Sequence, residues 1–423
     1  MRAAQFLEDL FGGALPVPVR CYDGSEAGPR ESRGRLVLHS PDVFRHFLYA
    51  PGELGLARAF VTGELTVEGD IDAVAASFSS FTGLRPRPRH LVAAARLIGA
   101  RRLRPLPPPE LEIRLRGRRH TRRRDSAAIS HHYDASNRFY ELLLGPSMTY
   151  SCAIFSRATD TLETAQSTKV DLICRKLGLG PDQRLLDVGC GWGSLVIHAA
   201  RRYGVAAVGV TVSKEQADYA RDRVRAAGLE DQVEIRLQDY RDVEDAPFDA
   251  ISSVGMFEHV GEARTAEYLG HLRDLLGPGG RLLNHAISRP RPGRARIDKR
   301  GFMNRYVFPD GELLEVGTVV SAAQRHGLEV RHVESLREHY AQTLRAWGHN
   351  LAVNWDAAVS EVGEARARVW RLYLAASAVN FETNGVSVHQ VLTVRPTVQG
   401  RSGMPLRPDW EVAPAASELD LAR

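Results

Sequence analysis

Lysine is nearly missing from this chain of 423 residues: Lys169, Lys176, Lys214 and Lys299 are the only four, and the other 52 of its 56 basic side chains are arginine. A coding bias towards arginine is the plain explanation, although the planar guanidinium is also the better fork for phosphate. Cysteine is scarce too. Cys21, Cys152, Cys174 and Cys190 show no CxxC spacing, which argues against a zinc site or a disulfide-stapled secreted fold and fits a reducing compartment. No stretch reaches the roughly 18 apolar residues of a membrane span. The N-terminal MRAAQFLEDLFGG lacks the long apolar core and cleavage site of a signal peptide. The expectation is a cytoplasmic protein that is soluble, or peripheral at the inner face of the membrane. With 43% hydrophobic and 25% charged residues the chain can fill a core, so wholesale disorder is excluded.

The order of patterns along the chain predicts four segments. Residues 1–82 mix short strand-like runs with a helical stretch near Pro41 to Tyr49, as in a small α+β module. Residues 83–125 read as an Arg/Pro-rich basic linker: fourteen arginines fall between Leu84 and Arg124 against Glu110 and Glu112 alone, and Pro105 and Pro107 to Pro109 break helices. Residues 126–395 read as a catalytic domain. Apolar strands (RLLDVG, AAVGV, VEIRL, DAISSV, RLLNHAI) alternate there with helices, and such βαβα alternation implies an α/β fold with a parallel sheet covered on both faces. The tail 396–423 is expected to be flexible.

The segment Leu185 to Gly193, LLDVGCGWG, puts a glycine-rich turn directly after a strand and before a helix. Glycines let a ligand approach the backbone, and the helix start offers free N–H groups. The spacing DxGxGxG differs from the dinucleotide fingerprint GxGxxG and resembles the turn with which class I methyltransferases bind S-adenosylmethionine (SAM). Ligands of open α/β sheets sit at the carboxyl ends of the strands. Thr211, Ser213 and Gln216 follow the second strand, where many such enzymes carry an acid for the ribose, and Asp239 and Tyr240 follow the third. Ser213 is equally readable as a helix N-cap.

Further strings join these in order: HHYDASNRFYELLLGPSMTYSCAIF at 131–155, SVGMFEHVG at 253–261, LLNHAIS at 282–288, RYVFPDGEL at 305–313 and EHYAQTLRAW at 338–347. Together they closely resemble the cyclopropane-fatty-acyl-phospholipid synthase family and its mycolic-acid cyclopropane relatives. The match spans about residues 126–395 and looks closest to an actinobacterial branch. The resemblance implies a class I SAM-dependent methyltransferase sheet with a helical lid, and transfer of a methylene group from SAM to the cis double bond of an unsaturated phospholipid acyl chain. It also implies a bound bicarbonate as base, held by Cys152, Glu258, His285, Tyr340 and the backbone of Ile287. Tyr150 and Ser151 would touch the methionine end of SAM, with Asp187, Gly189 and Gly191 beneath it. Thr211, Ser213 and Gln216 would lie near the ribose and adenine, Asp239 and Tyr240 near the adenine edge, and Tyr133 and Asp134 in the lid. No metal is expected.

Each assignment has a plainer counterpart. Cys152 is readable as a small buried hydrophobe and His285 as a satisfied core histidine, whereas a carboxylate in the apolar setting of Glu258 needs a partner. Ser377 stands where many relatives have cysteine, which disfavours a thiol nucleophile at that place. Some members of the actinobacterial branch methylate oleoyl chains without closing a ring, giving a 10-methylene product, for which a partner reductase would follow. The basic linker, Arg101 to Arg124 above all, suits docking on an anionic phospholipid leaflet. A homodimer is compatible with the sequence. Two other readings compete. An RNA methyltransferase would use the basic linker but lacks an NPPY-like motif, so no nucleic acid partner is expected. A non-catalytic lipid-binding protein would have no use for the intact Cys152, Glu258, His285 and Tyr340.

Overall fold

A computed structural model describes residues 1–79, 87–99, 104–113, 135–293, 297–298 and 301–410. Tyr133 and Asp134 lie outside them, as does most of Arg101 to Arg124. The chain forms two compact units: residues 1–116, 297–310 and 347–383 make the first, and residues 117–296, 311–346 and 384–423 the second.

The first unit carries a four-stranded sheet of order β2-β1-β3-β4, from β1 (Val19–Cys21), β2 (Glu26–Ala27), β3 (Gly34–Leu38) and β4 (Leu65–Gly69). The helix Ala3–Leu10 buries Phe6, which meets Phe44 of the helix Asp42–Tyr49 edge-on at 5.2 Å. Two sequence expectations need correcting here. The described part of the expected linker contains the helix Pro88–Ile98, opened by proline at its first position and buried along His90, Ala94 and Ile98. Their spacing of four puts them on one face, so this segment joins the core. Glu112, instead of merely facing a basic run, accepts from Arg58 Nε at 2.7 Å and Nη2 at 2.9 Å. The second correction concerns the boundary at 126–395. Residues 297–310 and 347–383 cluster with the first unit, because the helix Glu364–Glu382 packs on Glu53–Val61 and Ile71–Ser79. Ser377 is buried on that helix.

The second unit is built on a seven-stranded sheet of order β10-β11-β9-β8-β5-β6-β7. Its strands are β5 (Arg184–Val188), β6 (Ala206–Thr211), β7 (Val233–Leu237), β8 (Phe248–Val254), β9 (Leu276–Ser288), β10 (Glu329–Ser335) and β11 (Ser387–Val394). The five from β9 to β7 run parallel, as the alternation predicts, while β11 is antiparallel to both neighbours. β10 carries only half-buried or exposed residues, so it lacks the apolar signature of the central strands. Helices Leu162–Leu177, Ser194–Tyr203, Lys214–Ala226 and Thr265–Leu275 cover the sheet. The tail is not loose from residue 396: Trp410 packs on His332 with ring centroids 5.9 Å apart, and Arg175 donates to its carbonyl. Residues 411–423 lie outside the description. Among the described residues no helix is long and apolar enough to cross a membrane.

Candidate functional site

At the carboxyl ends of β5, β6, β7 and β8 lies a cleft of about 150 Å3. Its floor is the turn after β5, where Gly189, Gly191 and Gly193 hold φ of +79°, +54° and +81°. An L side chain is strained in that region. The turn is pinned to β6, with Gly189 N–H and Cys190 N–H both donating to Val210 O at 2.9 and 3.0 Å. A Cβ on Gly189 would lie 3.4 Å from Met256 Cβ, while one on Gly191 would meet nothing within 4 Å. The backbone therefore stays open towards the cleft at Gly191.

Of the ten residues assigned to the cofactor, nine line the cleft: Tyr150, Ser151, Asp187, Gly189, Gly191, Thr211, Gln216, Asp239 and Tyr240. Ser213 does not. It caps the helix Lys214–Ala226, its Oγ accepting from Gln216 N–H at 3.3 Å. Thr211 Oγ1 donates to Gln216 Oε1 at 3.0 Å, so hydroxyl and amide stand together at the end of β6. Asp239 is paired with Arg241, accepting from Nε at 2.8 Å and Nη2 at 2.5 Å. Burial pushes the Tyr240 phenol up to about 12, so it stays protonated at neutral pH. At the base of the cleft, burial lifts Asp187 to about 6, opposed by Ser252 Oγ, which donates at 2.7 Å, and by the charge of Lys169.

The helix Leu162–Leu177 holds the opposite wall. Gln166 Nε2 donates to the carbonyls of Thr149 and Ser151 at 3.2 and 3.0 Å, and Lys169 Nζ donates to Ser151 Oγ at 2.9 Å. Lys169 is 2% exposed, and burial lowers its ammonium to about 8. The cleft lining thus offers a buried cation with hydroxyls together with an acid, an amide and an aromatic ring. That donor set fits an amino acid joined to a nucleoside, as SAM is.

The five residues assigned to the base lie outside the cleft lining; Glu258 and Ile287 touch directly, and Cys152 and Tyr340 are tied to that strand through the backbones of Leu336 and Val388. Glu258 follows β8 on a short turn; its Oε1 accepts from Ile287 N–H at 2.7 Å, so that backbone donor is already engaged. Although Glu258 as a residue is half-buried, its Oε2 is out of water and has no hydrogen-bond partner. Burial raises its carboxyl to about 7. His285, on β9, is 2% exposed and leaves Nε2 buried and unpartnered. Burial first, then the charges of Lys169 and Lys176, lowers its imidazole to about 3, so the ring is neutral. Cys152 Sγ donates to Ala153 O at 3.2 Å and faces Leu336 O at 3.6 Å. Tyr340 N–H donates to the same Leu336 carbonyl at 3.1 Å, so the Cys152 thiol and the backbone of the buried Tyr340 share one acceptor. Leu336 N–H in turn donates to Val388 O, and Val388 stands opposite Ile287 in the sheet. Burial raises the Cys152 thiol, with Lys169 opposing, so it is no thiolate.

Sequence reasoning missed Lys169, whose charge acts on Cys152, Asp187 and His285 alike. It also missed His259, a cleft residue held near 4 by burial. A signal for the first was present in the composition, in which only four lysines stand among 56 basic side chains. Two of the four, Lys169 and Lys176, are buried on one helix.

Comparison with known proteins matches residues 120–391 to the family model described as mycolic acid cyclopropane synthetase. The chain is 46% identical over 410 residues to a probable fatty acid methyltransferase, Rv3720, of Mycobacterium tuberculosis, covering 94% of this chain and 96% of the relative. It is 33% identical over 366 residues to the cyclopropane-fatty-acyl-phospholipid synthase of Escherichia coli, covering 86% and 88%. Among solved structures, mycolic acid cyclopropane synthase CmaA1 in complex with SAH and CTAB superposes with a TM-score of 0.60 at 34% identity, over 63% of this chain and 97% of that one.

Proposed function

The chain belongs to the mycolic acid cyclopropane synthetase family and is a SAM-dependent methyltransferase; from that premise we propose that it acts on the cis double bond of an unsaturated phospholipid acyl chain and closes a cyclopropane ring. The observation that carries the reading is a pair of buried, unpartnered polar atoms, Glu258 Oε2 and His285 Nε2, beside the ends of β8 and β9. An unpaired buried polar atom costs a fold about 1–3 kcal/mol and needs a reason.

The chemistry supplies one. SAM, when bound, provides an electrophilic methyl group. Adding it to an alkene leaves a carbocation in the chain, and ring closure requires the new methyl carbon to give up a proton. Glu258, His285, Cys152 and Tyr340 would hold a bicarbonate, which would supply the basic oxygen for that proton. Here the residues of the chain act as holders: Glu258, with a raised carboxyl, and His285, neutral, offer hydrogen bonds without taking the proton for good. Lys169 fixes Ser151 at the amino acid end of the cleft, and Asp187 underlies the glycine turn. An arginine-rich face docking on an anionic leaflet would bring the acyl chain to the enzyme.

A second reading is favoured by one finding, the name fatty acid methyltransferase carried by the relative at 46% identity. In it the cation moves by a hydride shift to the methylated carbon, and loss of a proton from the new methyl group leaves a 10-methylene branch. One incubation tests both. The full chain with SAM and vesicles bearing oleoyl chains is expected to add one CH2 to the released fatty acid, with ring protons rather than vinylidene protons in the NMR spectrum. Vinylidene protons would favour the second reading, and unchanged lipid would overturn both.

A further inference from the structure

We infer that Lys176 and Gln390 are positioning residues that fix the tautomer of His285, holding its proton on Nε2 so that the ring's unpartnered nitrogen is a hydrogen-bond donor. His285 on β9 and Gln390 on β11 are directly opposite one another in the sheet, and Gln390 Nε2 lies 3.2 Å from His285 Nδ1. An amide and an imidazole admit either direction of hydrogen bonding until a third group decides. Lys176 decides it. Its Nζ donates to Gln390 Oε1 at 2.7 Å, and an ammonium has three donors and no acceptor. The amide oxygen must face Lys176, so the amide NH2 faces His285. That group has only hydrogens to offer, so Nδ1 must accept and the neutral ring carries its proton on Nε2.

The setting keeps this arrangement in place. Lys176 is 1% exposed and is closed on its other side by an ion pair with Glu334 of β10. It stands seven residues after Lys169, on the same face of the helix Leu162–Leu177. A turned amide would let the ring donate from Nδ1, but only by setting NH2 against the ammonium of Lys176, a mismatch of two donors in a low-dielectric interior. Protonating His285 would bring N–H against NH2 and place a third cation near Lys169 and Lys176, whose charges act on the ring.

The consequence for chemistry rests on the function proposed above: an Nε2–H donor binds an oxyanion, whereas the other tautomer would turn a lone pair on it. Nitrogen-15 NMR of the full-length protein labelled at histidine, with His285→Asn to assign the signal, reads the tautomer directly and without substrate. The expected result is an Nε2–H ring that does not change between pH 6 and 8. Gln390→Glu puts a carboxylate against Nδ1. It should move a proton there and lower turnover about tenfold or more, the order of one charge-assisted hydrogen bond, with SAH affinity within about twofold of the parent. Lys176→Met, a milder change, should give a mixture of tautomers. A ring protonated on Nδ1 in the parent, or Gln390→Glu and Lys176→Met spectra identical to it, would overturn the inference. Absence of any lipid product from the parent would count against the proposed function and leave the tautomer result standing.

Discussion

Glu258→Gln separates the cost of the site from its use. The carboxyl has an ordinary value of 4.5, which the unfolded chain keeps, and the folded protein raises it to about 7. The unfolded state therefore gives up its proton first as pH rises. The native state carries no penalty below pH 4.5, a growing one between 4.5 and 7, and the full one above 7. Each pH unit of that gap is worth about 1.4 kcal/mol, so the full penalty is about 3 kcal/mol. Glutamine keeps an oxygen for Ile287 N–H, has the same shape and does not titrate. The variant should match the parent at pH 4 and exceed it at pH 8 by about 3 kcal/mol, or roughly 5 to 10 °C in Tm for a unit of this size, while turnover is lost. Thermal denaturation from pH 4 to 9, with turnover measured alongside, checks both halves. A stability difference that does not change with pH, or a glutamine variant that still turns over, would refute the reasoning.

Lys169→Met removes the donor to Ser151 Oγ; affinity for SAH by calorimetry should fall about tenfold, and unchanged affinity would remove Lys169 from the cofactor end. Gly189→Ala forces a side chain into φ +79° and within 3.4 Å of Met256, which should cost about 1–2 kcal/mol of stability and weaken SAH binding, both readable in one melt with and without ligand. Co-sedimentation should show stronger binding to anionic than to neutral vesicles, by about 1 kcal/mol for each arginine near the surface, and loss of that preference in high salt.

What the sequence disclosed was whatever is local. The glycine turn, the five parallel strands and the cleft residues at their ends follow from short patterns, because a buried parallel strand is apolar along its length and a left-handed turn selects glycine. Pro88–Ile98 was hidden by its arginines, although its apolar positions keep helical spacing. The assignment of residues 347–383 to the first unit depends on packing between segments some 300 residues apart, such as Glu364–Glu382 on Ile71–Ser79. No spacing rule reaches that far. Gln390 and Lys176 escaped for a related reason: each is an ordinary residue in its own element, and its role exists only because β11 is inserted beside β9. Ser213 had two readings, and its capping bond is the one the structure contains.

The most direct measurement uses SAM whose methyl group is fully deuterated, with oleoyl vesicles and the full chain, followed by mass analysis of the isolated fatty acid. If a proton is collected from the transferred carbon beside Glu258 and His285, the product keeps two deuterons on that carbon. A product that keeps all three, or no labelled lipid at all, would contradict the account.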